Sequence, residues 1–402
     1  MTNEEYIRLH LRDDVRALAL QRVEAGVDAK WCLQQIEGWQ KAVDKLPRWA
    51  QTDGLWYPPS LSMEQCSGEK TARYKADVVA ELLPESGRTV FADLTGGYGI
   101  DFSYVAPLFR TSYYVERNDA LCRIAEHNLP ALGLPGARVV CADSIDFLNT
   151  GAASYDLIYI DPARRDTAGR KTVAIEDCTP DVCILQERLL GLSRYVIIKL
   201  SPMLDITAAL ARLRCVCAVH AVCVRGECKE LLLVQQAGYE GMPVYHAVNM
   251  MADDDLMIYA CTREEMQASR PILPGESGLD AIGRYLYEPH AGILKAGLQD
   301  TLCRRCGVSK LHPMSNLFTS ASPVDGFPGR GFEVLGYCGF GKKELRAMLD
   351  GIHCANLTVR NFPSTVAELR KKLHLREGGD VYLFATMLED GSHVLVRCRK
   401  YL

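Results

Sequence analysis

The chain has 402 residues, a formal net charge of −4 and 16 cysteines. That length allows two or three domains, each with its own core, and the composition is that of a soluble globular protein. The charge argues against a general nucleic-acid coat, although an average conceals local patches.

The cysteines are scattered through apolar segments of a large chain, so they read as reduced core residues and not as a disulfide framework. No apolar stretch reaches the roughly 18 residues of a membrane helix. The N-terminus MTNEEYIRLH lacks the basic-then-apolar pattern of a signal peptide. A cytoplasmic protein with no membrane partner is expected. Charge is unevenly placed: residues 326–402 carry 12 Lys and Arg against 8 Asp and Glu, leaving 34 against 42 elsewhere. An acidic ligand-binding body with an anion-facing appendage fits that split.

Residues 1–84 are predicted to form a helical N-terminal region. Cys32, Ile36, Trp39, Val43 and Leu46 recur at four-and-three spacing, one apolar stripe on a helix that Pro47 closes. Trp56-Tyr57-Pro58-Pro59 marks an extended linker. A further helix is predicted over residues 64–83. Its polar residues Gln65, Ser67, Thr71, Tyr74 and Lys75 either approach the glycine loop that follows or form a solvated face.

Residues 90–101, VFADLTGGYGID, read as a buried strand, a glycine-rich turn and the start of a helix, the construction that holds a nucleotide-containing cofactor at the edge of a parallel sheet. A tight connection with no ligand is the plainer alternative. The loop is framed by Asp93 and Asp101 with no Lys or Arg between them, which suits a cationic ligand better than a phosphate. S-adenosylmethionine, with a sulfonium and an ammonium, is such a ligand. The dinucleotide fingerprint fails, because the sixth position counted from Gly97 is Phe102.

Further strands are predicted at 112–115, 138–142, Tyr155–Ile160, 195–199, 215–224 and 230–235, with Asn118 capping a helix that runs to Leu132. Glu116 ends the second strand, 23 positions after Asp93, where it can accept from ribose hydroxyls. Asp143-Ser144 follows the third strand, where a carboxylate can take an adenine amino group. The fourth runs into Asp161-Pro162-Ala163-Arg164. Each acid alone could be a cap or turn residue. Four acids at four strand ends should line one crevice.

With DLTGGYGID, Glu116, Asp143 and DPAR, residues 64–236 resemble the class I S-adenosylmethionine-dependent methyltransferases. The resemblance implies an α/β fold with a Rossmann-like seven-stranded core. It implies cofactor contacts from Asp93, Thr95, Gly97, Gly99, Asp101, Glu116, Asp143 and Ser144, and an acceptor site at Asp161, Pro162 and Arg164. KLPRW (45–49), EQCSGEKTARYKA (64–76), YLYEP (285–289) and RNFP (360–363) make the whole chain similar to a bacterial methyltransferase family with a ferredoxin-like segment and a small α+β THUMP-like C-terminal domain. The implied organisation is 1–84 helical, 85–270 methyltransferase core, 279–325 ferredoxin-like and 326–402 THUMP-like.

DPAR is similar to the (D/N)PP(Y/F) motif of enzymes that methylate amino groups on bases and to the DPPR motif of C5-pyrimidine methyltransferases, and matches neither fully. Its fourth residue is Arg164 where the amine enzymes have a stacking aromatic; a guanidinium can stack on a base or hold a phosphate. Lys199-Leu200-Ser201-Pro202 follows the fifth strand with no cysteine nucleophile, which disfavours C5 chemistry. Arg165 and Lys199 are further candidates by position. Methyl transfer to a nitrogen requires no metal, and none is expected. Cys303-x-x-Cys306 could make a site only with Cys338, Cys354 or His312.

Beyond a Gly- and Pro-containing loop at 271–278, residues 285–320 read as strand, helix, strand, with Arg304, Arg305 and Lys310 on polar positions. From Phe332 the order is strand, helix, strand, helix, strand, strand. Thr365 and Glu368 form a capping box. Lys342, Lys343 and Arg346 mark the first of these helices, and Arg370, Lys371 and Lys372 the second. A basic run is commonly a solvated face; the THUMP-like resemblance implies that this one meets structured RNA. The expected activity is methylation of a base nitrogen in transfer or ribosomal RNA. Competing readings are an RNA-binding scaffold without catalysis, a methyltransferase for DNA, protein or a small molecule, and, last, a nicotinamide enzyme.

Overall fold

The computed structural model describes residues 1–21, 25–150, 154–163, 174–251 and 255–401. It divides into two units, Met1–Cys217 with Leu232–Gly241, and Ala218–Leu231 with Met242–Leu402. Among the described residues no helix is long and apolar enough to cross a membrane.

The first unit opens with helices. Ala29–Lys45 is capped by Asp28, whose carboxylate accepts from the Trp31 N–H at 3.0 Å, and it buries Cys32, Ile36 and Ala42. Val43, expected on the buried stripe, is 42% exposed; at 3.6 residues per turn the line passes through Ala42 instead. Ala42 and Leu46 share a core with Trp49, Tyr57, Tyr98, Ile100 and Ile124, so the helical region packs directly on the glycine loop. The expected helix at 64–83 is two, Ser60–Gln65 and Glu69–Leu82, parted at Cys66-Ser67-Gly68. Gly68, poor inside a helix, stands at the second N-cap.

The large sheet contains β1 (Val90–Asp93), β2 (Thr111–Glu116), β3 (Arg138–Cys141), β4 (Tyr155–Ile160), β5 (Ser193–Leu200), β6 (Val216–Val224), β7 (Glu227–Gln236), β8 (Val244–Met250) and β9 (Leu256–Thr262). Their order is β3-β2-β1-β4-β5-β7-β6-β8-β9. β1 runs parallel to β2 and β4, β2 to β3, and β4 to β5. Parallel strands covered on both faces are apolar along their length, and Phe91, Ala92, Leu157, Ile158, Val196 and Ile198 are all buried. Strand order reverses beside β1, the position where such sheets open a ligand crevice. β6 turns into β7 through Arg225 and Gly226, both with positive φ (52° and 80°), the turn that suits an antiparallel hairpin. The seven expected strands are extended by two more: β8 pairs parallel with β6, and β9 antiparallel with β8.

The second sheet contains β10 (Tyr285–Pro289), β11 (Ser309–Lys310), β12 (Phe318–Ser320), β13 (Gly329–Cys338), β14 (Asn356–Val359), β15 (Tyr382–Met387) and β16 (His393–Lys400), in the order β11-β12-β10-β13-β16-β15-β14. Side chains alternate between its faces. Phe384, Val394 and Val396 join a core with Leu286 and Phe332, while Leu383, Ala385 and Leu395 join Leu345 and Leu369 of the helices Lys342–Met348 and Val366–Leu373. The Thr365 hydroxyl accepts the Glu368 N–H at 3.2 Å and the Glu368 carboxylate accepts the Thr365 N–H at 2.8 Å, the expected capping box. Between β10 and β11 lie two helices, Ala291–Ala296 and Thr301–Cys306, where one was expected; Gly297, at φ 73°, ends the first.

Candidate active site

Asp93 closes β1 and is 1% exposed. Its carboxylate accepts from the Thr95 N–H at 2.9 Å and the Thr95 hydroxyl at 3.4 Å. Burial pushes this carboxyl up to about 8; the Thr95 N–H opposes the shift, while the charges of Asp101 and Asp161 add to it. A cation placed beside it would restore the ionised form.

The glycine loop rests on β2. A Cβ at Gly96 would lie 2.3 Å from the Tyr114 ring, so only glycine fits there, and the Tyr114 hydroxyl donates to the Gly97 carbonyl. Gly97 and Gly99 have φ of 57° and 85°. Glu116 bridges two elements, accepting the Gly97 N–H at 3.0 Å and the Asn118 N–H at 2.8 Å. Asp143 accepts the Ile145 N–H at 2.9 Å, and the Ser144 hydroxyl donates to the Leu94 carbonyl at 2.8 Å. Glu116 and Asp143 therefore also serve as turn and cap residues. The register aligns the strand ends: Asp93 pairs with Tyr114 and Tyr159, and Glu116 with Cys141. Asp93, Glu116, Asp143 and Asp161 thus share one edge of the sheet.

Asp101 is differently employed. Its carboxylate accepts from the Ser67 hydroxyl at 2.8 Å, the Tyr159 hydroxyl at 2.7 Å and Lys75 at 3.0 Å, with Lys199 at 3.4 Å. Burial alone would raise this carboxyl, but Lys75 foremost, then Lys199 and the Tyr159 hydroxyl, hold it well below the usual carboxylate range. The loop is therefore not framed by two equivalent acids. Asp93 is buried with no cation in hydrogen-bond contact among the described residues, and Asp101 anchors a buried cluster. No single sequence window reveals this, since Ser67 and Lys75, Asp101, Tyr159 and Lys199 come from four separate segments. Of the polar group on residues 64–83, Ser67 and Lys75 reach the loop, whereas Gln65 is exposed.

Asp161 follows β4. Its N–H donates to the Thr95 hydroxyl at 2.7 Å, tying the acceptor motif to the glycine loop, and its carboxylate lies 2.5 Å from the Lys199 ammonium. Pro162 is buried. Ala163 exchanges backbone hydrogen bonds with Thr179 at 2.8 and 2.9 Å. Arg164 and Arg165 lie outside the described residues. Cys178 is buried, and burial foremost raises the Cys183 thiol to about 11; neither is an activated nucleophile.

In the second unit, Lys342, Lys343, Arg346, Lys371 and Lys372 are exposed. Two other expected surface cations are not free. Lys310 is 2% exposed and pairs with Asp300 at 2.8 Å, and Arg305 pairs with Glu265 over the Tyr259 ring. A lysine can be drawn inward when a carboxylate awaits it. Among the described residues no group of three or more His, Cys, Asp or Glu is placed to hold a metal ion.

Strand order 3-2-1-4-5-7-6 with a glycine loop after the first strand and acids at the strand ends defines a class I methyltransferase core, and its donor set of carboxylates and loop amides fits a nucleoside that carries positive charge. Comparison with known proteins agrees. A candidate methyltransferase from Porphyromonas gingivalis W83, known from a crystal structure, is 32% identical, superposes with a TM-score of 0.86, and covers 100% of this chain and 98% of its own. Proteins from Mycobacterium tuberculosis strains CDC 1551 and H37Rv, each described as an uncharacterized S-adenosylmethionine-dependent methyltransferase, are 25% identical over 383 residues, 92% of this chain and 96% of theirs. Residues 285–328 match a family described as ferredoxin-like, and residues 329–400 one described as THUMP domain-like. The chain belongs to the S-adenosylmethionine-dependent methyltransferases that carry these two domains. S-adenosylmethionine is its methyl donor.

Proposed function

We propose that the protein methylates a base nitrogen in structured RNA, a transfer or ribosomal RNA, in the cytoplasm. Asp93, Thr95, Gly97 and Gly99 would hold the methionine end of the cofactor, Glu116 the ribose, and Asp143 with Ser144 the adenine. Asp101 contributes by fixing the helix that follows the loop. The cofactor supplies an activated methyl group with a good leaving group, so the protein's task is positioning. The Asp161 carboxylate and the Pro162 carbonyl accept hydrogen bonds from the acceptor amine, and Asp161 receives its proton after transfer. Arg164 would stack on the base or hold a phosphate. A base within a duplex has to be flipped out or presented single-stranded.

The observation that carries the reading is the Asp161 carboxylate at the strand-end crevice, hydrogen-bonded through its backbone to the glycine loop, in a chain whose THUMP-like region exposes Lys342, Lys343, Lys371 and Lys372. Incubation with methyl-labelled S-adenosylmethionine and total nucleic acid from cells lacking the gene tests it. Label should enter one RNA size class and vanish with Asp161→Ala. Label in DNA, or in protein only, would redirect the acceptor assignment.

A further inference from the structure

Two acids meet near the crevice, Asp161 after β4 and Asp101 beyond the glycine loop, and one ammonium touches both. Lys199, on β5, lies 2.5 Å from Asp161 and 3.4 Å from Asp101, and its Nζ lies 3.2 Å from the Ser67 hydroxyl oxygen. An ammonium has three protons to donate, and here three oxygens from three other segments surround it.

Neutralising Asp101 does not by itself explain this placement. Lys75, with a fully buried side chain, already pairs with Asp101 at 3.0 Å. The nearer contact of Lys199 is to Asp161, whose side chain is 37% exposed. A carboxylate that open to water samples several rotamers unless something fixes it, and a misplacement of about 1 Å can cost on the order of 100-fold in rate. Lys199 is suited to fix it, because its own side chain is 12% exposed and anchored on Ser67 and Asp101. Among the described residues the charged groups around Asp161 are Lys199 on β5, Asp93 on β1 and, through Lys199, Asp101 and Lys75. Lys75 pairs with Asp101 and Lys199 with Asp161, so each of these two carboxylates has a lysine.

We propose that Lys199 is a positioning residue for methyl transfer, aiming the Asp161 carboxylate at the acceptor through an ion pair braced on Asp101 and Ser67. The proposal rests on Asp161 orienting the acceptor. It does not depend on that acceptor being RNA.

The test compares wild type, Lys199→Met and Lys199→Arg in the full chain. Cofactor affinity is measured by calorimetry, folding by thermal melts, and methyl transfer with labelled cofactor on the RNA, DNA and protein fractions of cells lacking the gene. Kinetics are then taken on whichever fraction the wild type labels. Lys199→Met should lower kcat by about 100-fold while cofactor affinity stays within about threefold, and Lys199→Arg, which keeps the charge, should recover at least about tenfold of that loss. Labelling of protein instead of RNA would refute the RNA assignment and leave the Lys199 comparison intact. The positioning role is overturned by an unchanged kcat in Lys199→Met, by parallel loss of cofactor binding, or by equal impairment of the two variants with lowered melting temperature. Absence of transfer to every fraction would overturn it as well.

Discussion

Among the described residues, Asp101 in the first unit and Glu288 in the second are buried carboxylates that each meet two cations, and the two arrangements are built differently. Asp101 is met by Lys75 and Lys199, whose side chains are 0% and 12% exposed. Glu288 is met by Arg330 and Arg360, whose side chains are 41% and 40% exposed. The first is a sealed cluster completed by the Ser67 and Tyr159 hydroxyls; the second is a tie whose cations face water. Glu288 belongs to YLYEP and Arg360 to RNFP, so these two distant motifs meet at 2.6 Å. Lys75 and Asp101 likewise join EQCSGEKTARYKA to the glycine loop. Lysines give compact point charges that fit inside a cluster, while guanidiniums hold a carboxylate by their edge and remain hydrated. The same charge pattern therefore organises a crevice in one unit and fastens a sheet in the other.

Breaking the sealed cluster should cost most. Lys75→Met leaves Asp101 buried with half its compensation, and a loss of about 3 kcal/mol in urea unfolding is expected. A loss below about 1 kcal/mol would mean that Lys199 and the hydroxyls suffice.

The pH dependence of the first unit sharpens the contrast. The Asp93 carboxyl, raised to about 8 by burial, keeps a proton that the unfolded chain releases near pH 4. Its contribution to stability is complete below about pH 4 and declines as pH rises toward about 8. Urea midpoints of Asp93→Asn should lack that part of the decline, and an unaltered pH profile would show that Asp93 is already ionised in the apo protein.

In the second unit the effects are smaller. Replacing both Lys342 and Lys343 by Ala should weaken binding to structured RNA and flatten its salt dependence by about one unit of slope for each phosphate that is no longer neutralised. An unchanged slope would remove that helix from the proposed RNA contact. Glu288→Gln should cost about 1 kcal/mol, because hydrated guanidiniums tolerate losing a partner. Thr365→Ala should cost about 1 kcal/mol through the helix cap without altering cofactor affinity.

The sequence determined the elements whose cause is local. Alternating apolar strands, the glycine turn and the Thr365–Glu368 capping box depend on neighbours a few positions away, so β1, β4 and the C-terminal strand and helix order are legible in one dimension. The acids at the strand ends are legible for the same reason, since parallel strands must end on one edge. Tertiary structure alone decided which acids have a cation. Lys75 and Lys199 reach Asp101 across 26 and 98 positions, and Lys310 turned inward to Asp300. Burial and ion pairing depend on what the folded chain brings within a few ångströms, and no spacing rule carries that over a hundred residues. The added strands β8 and β9 were likewise settled by packing, which overrides weak local preference.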